Sequence, residues 1–159
     1  MSVHLPVDVT SPDQLSSLVA ELQAYRGKLR DAGVRAKTAK SKIEPPDASD
    51  ALLGLLKGSA VSATDGPTLD ALSKELSQVL KKAPVMHLTL AGSAGRTLRR
   101  QLTVWFRTQV HPHSLLTFAI RTDIGGGLML QAGSHFYDYS FRDRLLANKS
   151  RLMELASVR

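Results

Sequence analysis

The chain has 159 residues, 43% of them hydrophobic, with 21 Lys and Arg against 14 Asp and Glu for a net charge of +7. A chain of this length and hydrophobicity can bury about two thirds of its unfolded surface, which excludes general disorder. It has no cysteine, which rules out disulfides, thiolate metal sites, iron–sulfur clusters and cysteine nucleophiles; no apolar run approaches the roughly 18 residues of a membrane span.

Met1 to Pro6 lacks the order of a signal or transit peptide, and the expectation is a soluble intracellular protein. Ser11-Pro12 reads as an N-cap followed by proline at the first helical position, where a missing N–H costs nothing. Leu15, Leu18, Leu22, Tyr25 and Leu29 then recur at steps of three and four, one face of a helix. Gly33 offers a stop, and Val34 to Ile43 is equally compatible with a basic continuation. The seam lasts about two heptads, short of a coiled coil. Glu44-Pro45-Pro46 is a firm break. Ser49 to Lys57 predicts a short helix with Leu52, Leu53, Leu55 and Leu56, and Gly58 to Gly66 a small-residue loop. Pro67 opens a third helix with Leu69, Leu72, Leu76 and Val79 on its apolar face, closing at Lys81-Lys82, where lysines suit the negative end of the helix dipole.

After Pro84 the period shortens towards that of strands. Val85 to Leu90 predicts a strand and Ala91 to Gly95 a turn. A helix to about Val110 follows, with Leu98, Leu102, Trp105, Phe106 and Val110 inward and Arg96, Arg99, Arg100 and Arg107 largely outward. His111-Pro112 ends it. Leu115 to Ile120 is a second strand, Asp123 to Gly127 a corner, Leu128 to Gln131 a third strand and Phe136-Tyr137 part of a fourth. Ser140 is placed to cap a last helix with Asp143 at its N3 position. The seam of that helix is Phe141, Leu145, Asn148, Leu152 and Leu155. The fold class expected is therefore α+β: an N-terminal helical domain over 1–83, then a C-terminal sheet-plus-helices module over 84–159 that ends in a helix.

Charge divides at the same boundary. Residues 1–83 hold 11 basic and 10 acidic side chains, whereas 84–159 hold 10 basic and only 4 acidic ones, a net of +6. The second part wants an acidic partner, either nucleic acid or an acidic protein surface. Gly92-Ser-Ala-Gly95-Arg-Thr97 sits between a strand and a helix, but two residues separate its glycines and arginine replaces the lysine of a phosphate loop, so a turn and helix cap account for it. Gly125-Gly126-Gly127 permits close backbone approach to a ligand or, more simply, a sharp strand corner. His111 and His113 lack the further ligands a zinc site needs. No serine lies in a nucleophile elbow, and nothing assembles a nucleophile, base and orienting acid. Trp105, Phe106, Phe136, Tyr137 and Tyr139 within the basic half leave a nucleic-acid-binding module as the alternative.

The run Asp123-Ile-Gly-Gly-Gly-Leu-Met-Leu-Gln-Ala-Gly133, then Tyr137-Asp138-Tyr-Ser140 and the basic, leucine-spaced segment with Arg142, Arg144, Leu145 and Leu152, carries more information. It resembles the C-terminal signature of the F-type ATP synthase delta subunit family, which includes the mitochondrial oligomycin-sensitivity-conferring protein. Gly126 and Gly127 match the family's Gly-Gly pair, Gly133 its glycine turn, and Asp138 with Ser140 its Asp-x-Ser helix start. The close match covers about a fifth of the chain, and the element order from Val85 onward extends it to about half. The resemblance implies a non-catalytic peripheral-stalk subunit without cofactor or metal. Its partners would be the N-terminal segments of the alpha subunits and the C-terminal helices of the b subunits. The candidate partner-binding residues are Arg142, Leu145, Asn148, Leu152 and Leu155. Where the family has a six-helix N-terminal domain, this chain supplies about three helices. The location implied is the cytoplasmic side of a bacterial plasma membrane, peripheral and within the complex.

Overall fold

The computed structural model describes residues 3–39 and 45–149, together with Met153; Leu152 and Leu155 lie outside the described residues. The elements run α1 (Pro12–Ala39), α2 (Asp50–Gly58), α3 (Gly66–Lys82), β1 (Val85–Leu90), α4 (Arg96–Gln109), β2 (Leu115–Ile120), a single 3-10 turn (Thr122–Ile124), β3 (Gly127–Ala132), β4 (His135–Ser140) and α5 (Arg142–Ala147). The fold is mixed α+β, with helices first and a sheet-and-helix module after them.

Side-chain caps fix the starts of α1 and α2. The Ser11 hydroxyl accepts from the Gln14 N–H at 3.3 Å, and Gln14 Oε1 accepts in return from the Ser11 N–H at 3.2 Å and the Thr10 N–H at 2.8 Å. This is a reciprocal capping box. Gly33 does not stop α1. Helix-favouring residues flank it, and Ala36 beyond it is buried, so continued burial outweighs the roughly 1 kcal/mol a glycine costs. Ser49 caps α2 by accepting from the Leu52 N–H at 3.2 Å. Its own N–H and hydroxyl both donate to the Glu21 carboxylate at 2.8 Å, fixing the start of α2 against α1. Arg26 of α1 pairs with Asp70 of α3, and the Tyr25 hydroxyl donates to the Ala63 carbonyl at 3.0 Å. Between these polar ties the leucine faces meet: Leu15, Leu22, Leu52, Leu55, Leu69, Leu72 and Leu76 are completely buried.

The sheet has order β2-β1-β3-β4, with β1 parallel to β2 and antiparallel to β3, and β4 antiparallel to β3. The parallel pair requires a crossover, which α4 provides. Alternation along β2 sends its first two residues to different cores. Leu115 joins the helical core of α1–α3, while Leu116 joins Met86, Leu88 and Phe106 under α4. The extended N-terminal segment lies against the same edge, where the Leu116 N–H donates to the Thr10 carbonyl at 2.7 Å.

Helix α4 is rotated relative to the face its apolar residues suggest. Phe106 and Thr103 are buried and Leu102 is partly so, whereas Leu98, Trp105 and Val110 are exposed. The Thr103 hydroxyl is buried at little cost because it donates to the Arg99 carbonyl at 2.8 Å. Arg107, expected on the outer face, turns towards the N-terminal segment instead. Its Nη1 donates to the carbonyls of Leu5 at 3.1 Å and Pro6 at 2.9 Å, and its Nη2 to that of Val9 at 2.5 Å. Those carbonyls belong to an irregular segment with no strand or helix partner, and a planar fork with several donors suits them.

Candidate functional site

The corner between β2 and β3 is built from the residue types its geometry demands. Gly125, Gly126 and Gly127 have φ of 68°, 131° and 79°, values that side-chain-bearing residues rarely adopt. Space is equally restrictive. A Cβ on Gly125 would lie 2.5 Å from Leu145 Cδ1, one on Gly126 2.9 Å from the Phe141 ring, and one on Gly127 2.3 Å from the Tyr139 carbonyl oxygen. Two side chains of the terminal segment, Phe141 and Leu145, thus seat on a surface that only glycines leave bare. The Phe141 N–H donates to the Gly126 carbonyl at 3.0 Å, which fixes the start of α5. Gly133 begins the two-residue β3–β4 turn with φ of 59° and open space around its missing Cβ.

Charged groups pin both flanks of the corner. Arg121 and Asp123 form a bidentate pair, with Nε to Oδ1 at 3.1 Å and Nη2 to Oδ2 at 2.6 Å. The hydrogen bond from Arg121 holds the Asp123 carboxyl below its usual range. Asp138 Oδ1 accepts from the Ser140 N–H at 2.8 Å. Hydrogen bonding from Ser140 lowers the Asp138 carboxyl as well, with smaller contributions from Arg142 and Arg121. The Asp-x-Ser pair therefore shapes the end of β4; it does not cap α5. The N-cap position is Phe141, which has no side-chain cap, because the Asp138 bond fixes Ser140 in the strand one residue earlier. Both carboxyls have depressed native values, so their contribution is complete above about pH 4 and is lost as pH falls through those values. Chemical-shift titration should show the two carboxyls protonating below that range, and Asp138→Asn should remove one of the two acid transitions at the corner.

Helix α5 has no buried residue. Arg142 is exposed, Leu145 is half in contact with the glycine corner, and the Asn148 side-chain amide donates to the Arg144 carbonyl at 2.8 Å as part of the helix end. Arg142, Leu145 and Asn148 are thus brought onto one short helix beside Gly125 and Gly126. No family model matches this chain, and no curated protein sequence does either.

Two further polar clusters stand out among the described residues. A cleft of about 540 Å³ between the N-terminal segment and the start of α4 is lined by Arg96, Arg99 and Arg100 with Asp8, Thr10 and Gln14. Arg99 is committed within it, donating from Nε to the Ala94 carbonyl at 2.9 Å with its guanidinium 5.2 Å above the Phe118 ring. His111 and His113 lie edge to face, and His113 Nε2 is 3.1 Å from the Val3 carbonyl oxygen, which makes that nitrogen the donor. Among the described residues no group of three or more metal-ligating side chains converges.

Of the aromatic residues that the sequence offers as a stacking surface, Trp105, Phe136, Tyr137 and Tyr139 are exposed and Phe106 is buried. Tyr137 and Tyr139 stack with ring centroids 6.4 Å apart and planes within 10° on the edge strand β4, and Trp105 stands half-exposed on α4. The alternation along β4 was a signal for the tyrosine pair. Trp105, expected inward because it falls on an apolar helical seam, is exposed instead.

Proposed function

We propose that this chain is a non-catalytic subunit of the peripheral stalk of a rotary, proton-translocating ATP synthase, joining the catalytic head to the stalk. The observation that carries the reading is the Asp123–Leu145 unit. The residues that resemble the delta-family signature are the ones this fold uses: glycines at positive φ that seat Phe141 and Leu145, a glycine turn, and an Asp-x-Ser contact that shapes the end of β4. A stator transmits force through bound helices and needs exposed apolar and charged faces, not reactive groups. Helix α5, with Arg142, Arg144, Leu145 and Leu146 outside the core, offers such a face. In this reading α1–α3 contact the N-terminal segments of the alpha subunits, and the sheet module holds the b subunits. The location is peripheral, on the cytoplasmic side of a bacterial plasma membrane; among the described residues no helix is long and apolar enough to cross one.

The test is genetic and biochemical. The tagged protein should copurify with alpha, beta and b subunits. Membrane vesicles from a deletion strain should hydrolyse ATP while losing ATP-driven proton pumping. Normal assembly and pumping without this chain would refute the reading. The stacked tyrosines in a module of net charge +6 favour a second reading, single-stranded nucleic-acid binding. That reading requires affinity that falls steeply with salt.

A further inference from the structure

Three arginines stand together on one face of α4. Arg96, Arg99 and Arg100 are spaced i, i+3 and i+4, which makes their side chains neighbours. The placement is costly for the helix. Like charges at that spacing repel, and cations in a first turn oppose the helix dipole. The first turn of α4 carries no acid, and Arg96 and Arg100 make no ion pair among the described residues. All three arginines line the cleft of about 540 Å³ that separates α4 from the N-terminal segment. The opposite wall of this cleft is held in place. Arg107 binds the Pro6 and Val9 carbonyls, the Leu116 N–H binds the Thr10 carbonyl, and Gln14 is locked in the capping box. Arg99 is fixed too. Its Nε–H bond to the Ala94 carbonyl and its stacking on Phe118 set the plane of its guanidinium, and its two Nη nitrogens have no partner among the described residues.

We infer that this cleft binds the phosphate group of a small phosphorylated molecule. Planar guanidinium forks match the oxygens of a phosphate, and a phosphate monoester offers three strong acceptor oxygens to the three arginines. A carboxylate offers only two. The charge balance agrees. Three guanidiniums face the single carboxylate of Asp8, which leaves the lining with two positive charges, and a phosphate monoester above its second pKa of about 6 is a dianion. The volume is that of a small-molecule site, about 300–1,000 Å³, and so exceeds what a bare ion needs. Gln14 adds a neutral donor. Its Oε1 is taken by the Thr10 N–H and hydroxyl, which turns its amide nitrogen into a donor for an ester or hydroxyl oxygen. A bound dianion offsets the repulsion among the arginines, so the charge that weakens the helix is the charge that holds the ligand. The inference stands apart from the stalk reading, and its failure would leave that reading untouched.

The test is calorimetric titration of the full chain at low salt and a pH of about 8, where the monoester is a dianion. Glycerol 3-phosphate, AMP and inorganic phosphate are the probes, with adenosine and citrate for comparison. Both esters should bind at one saturable site, adenosine should give no heat, and citrate should bind at least about tenfold more weakly. Arg96→Gln and Arg100→Gln should each weaken ester binding at least about tenfold. Arg99→Lys keeps the charge but loses the fork, and should weaken it about fivefold. Asp8→Asn should tighten it about threefold. Arg30→Gln and Asp31→Asn, exposed on α1, change the net charge equally and should move the affinity less than about twofold. Without ligand, Arg96→Gln and Arg100→Gln should unfold at or above the wild-type Tm, since each relieves repulsion in the first turn. Saturating ester should raise the Tm of the wild type and leave theirs unchanged. No saturable binding of either ester by the wild type would overturn the site, as would equal weakening by Arg30→Gln. Citrate binding as tightly as the esters would overturn the phosphate chemistry, and inorganic phosphate doing so would overturn the small-molecule assignment. Binding of an oligothymidylate but of no ester would make the cleft part of a nucleic-acid face instead.

Discussion

Arg107→Ala should lower the free energy of unfolding by about 3 kcal/mol or more. Hydrogen bonds to a charged donor each contribute about 1.5–3 kcal/mol, and a buried carbonyl left without a donor costs about 1–3 kcal/mol. Arg107 serves the carbonyls of Leu5, Pro6 and Val9, and reaches that of Ser114 at 3.4 Å. These contributions overlap, so their full total is not expected. Burial lowers the Arg107 guanidinium from its ordinary value, yet it stays charged at any pH the protein tolerates. Losing the clamp frees a segment whose Val3 and Val9 are buried, and it uncovers the edge of β2. Hydrogen exchange should therefore speed up first at the Leu116 N–H, which is bonded to the Thr10 carbonyl. Arg107→Lys should recover less than half the loss, because a single ammonium cannot reach carbonyls arranged for a fork. A urea midpoint unchanged in Arg107→Ala would show that the segment is held by its buried valines and its other hydrogen bonds, without the arginine.

The same arginine shows where reading from sequence alone stops. The helices α1–α3 and the strands were legible because leucines at steps of three and four, and then a shorter period, each specify a local geometry. The carbonyl partners of Arg107 lie about a hundred positions away in the chain, and no local pattern announces them. The rotation of α4 failed for a related reason. Leu98, Leu102 and Trp105 form a plausible core stripe, but the sheet beneath is entered by Phe106 and Thr103, and Arg99 and Arg107 are drawn to the β2 side by Phe118 and the N-terminal carbonyls. What is left exposed on α4 is an apolar shoulder of Leu98 and Trp105. At the corner, legibility was higher, since three consecutive glycines admit few explanations. Their reason for being glycine, the seating of Phe141, Leu145 and the Tyr139 carbonyl, appears only once β4 and α5 are folded back.

Alanine at each of these glycines should separate backbone strain from contact. Gly133→Ala carries only the cost of a positive φ in open space, about 1 kcal/mol. Gly125→Ala adds an approach to Leu145 Cδ1, the far end of a half-exposed side chain that can swing away, so a loss of about 1–2 kcal/mol is expected. Gly126→Ala has φ of 131° and pushes on the Phe141 ring, which anchors α5, and should cost about 2–3 kcal/mol. Gly127→Ala is the severe case, at about 3–5 kcal/mol. Its Cβ would fall 2.3 Å from the Tyr139 carbonyl oxygen and 3.0 Å from Ser140 Cα, both backbone atoms of a paired strand, and no rotamer relieves that. The relief available is to part β3 from β4 at the Gly127–Ser140 pair, which displaces Tyr139. Unfolding midpoints should fall most for Gly127→Ala, then Gly126→Ala, Gly125→Ala and Gly133→Ala. Equal losses at Gly133 and Gly127 would mean that positive φ alone demands these glycines, and that the close approach of β4 to the corner contributes nothing.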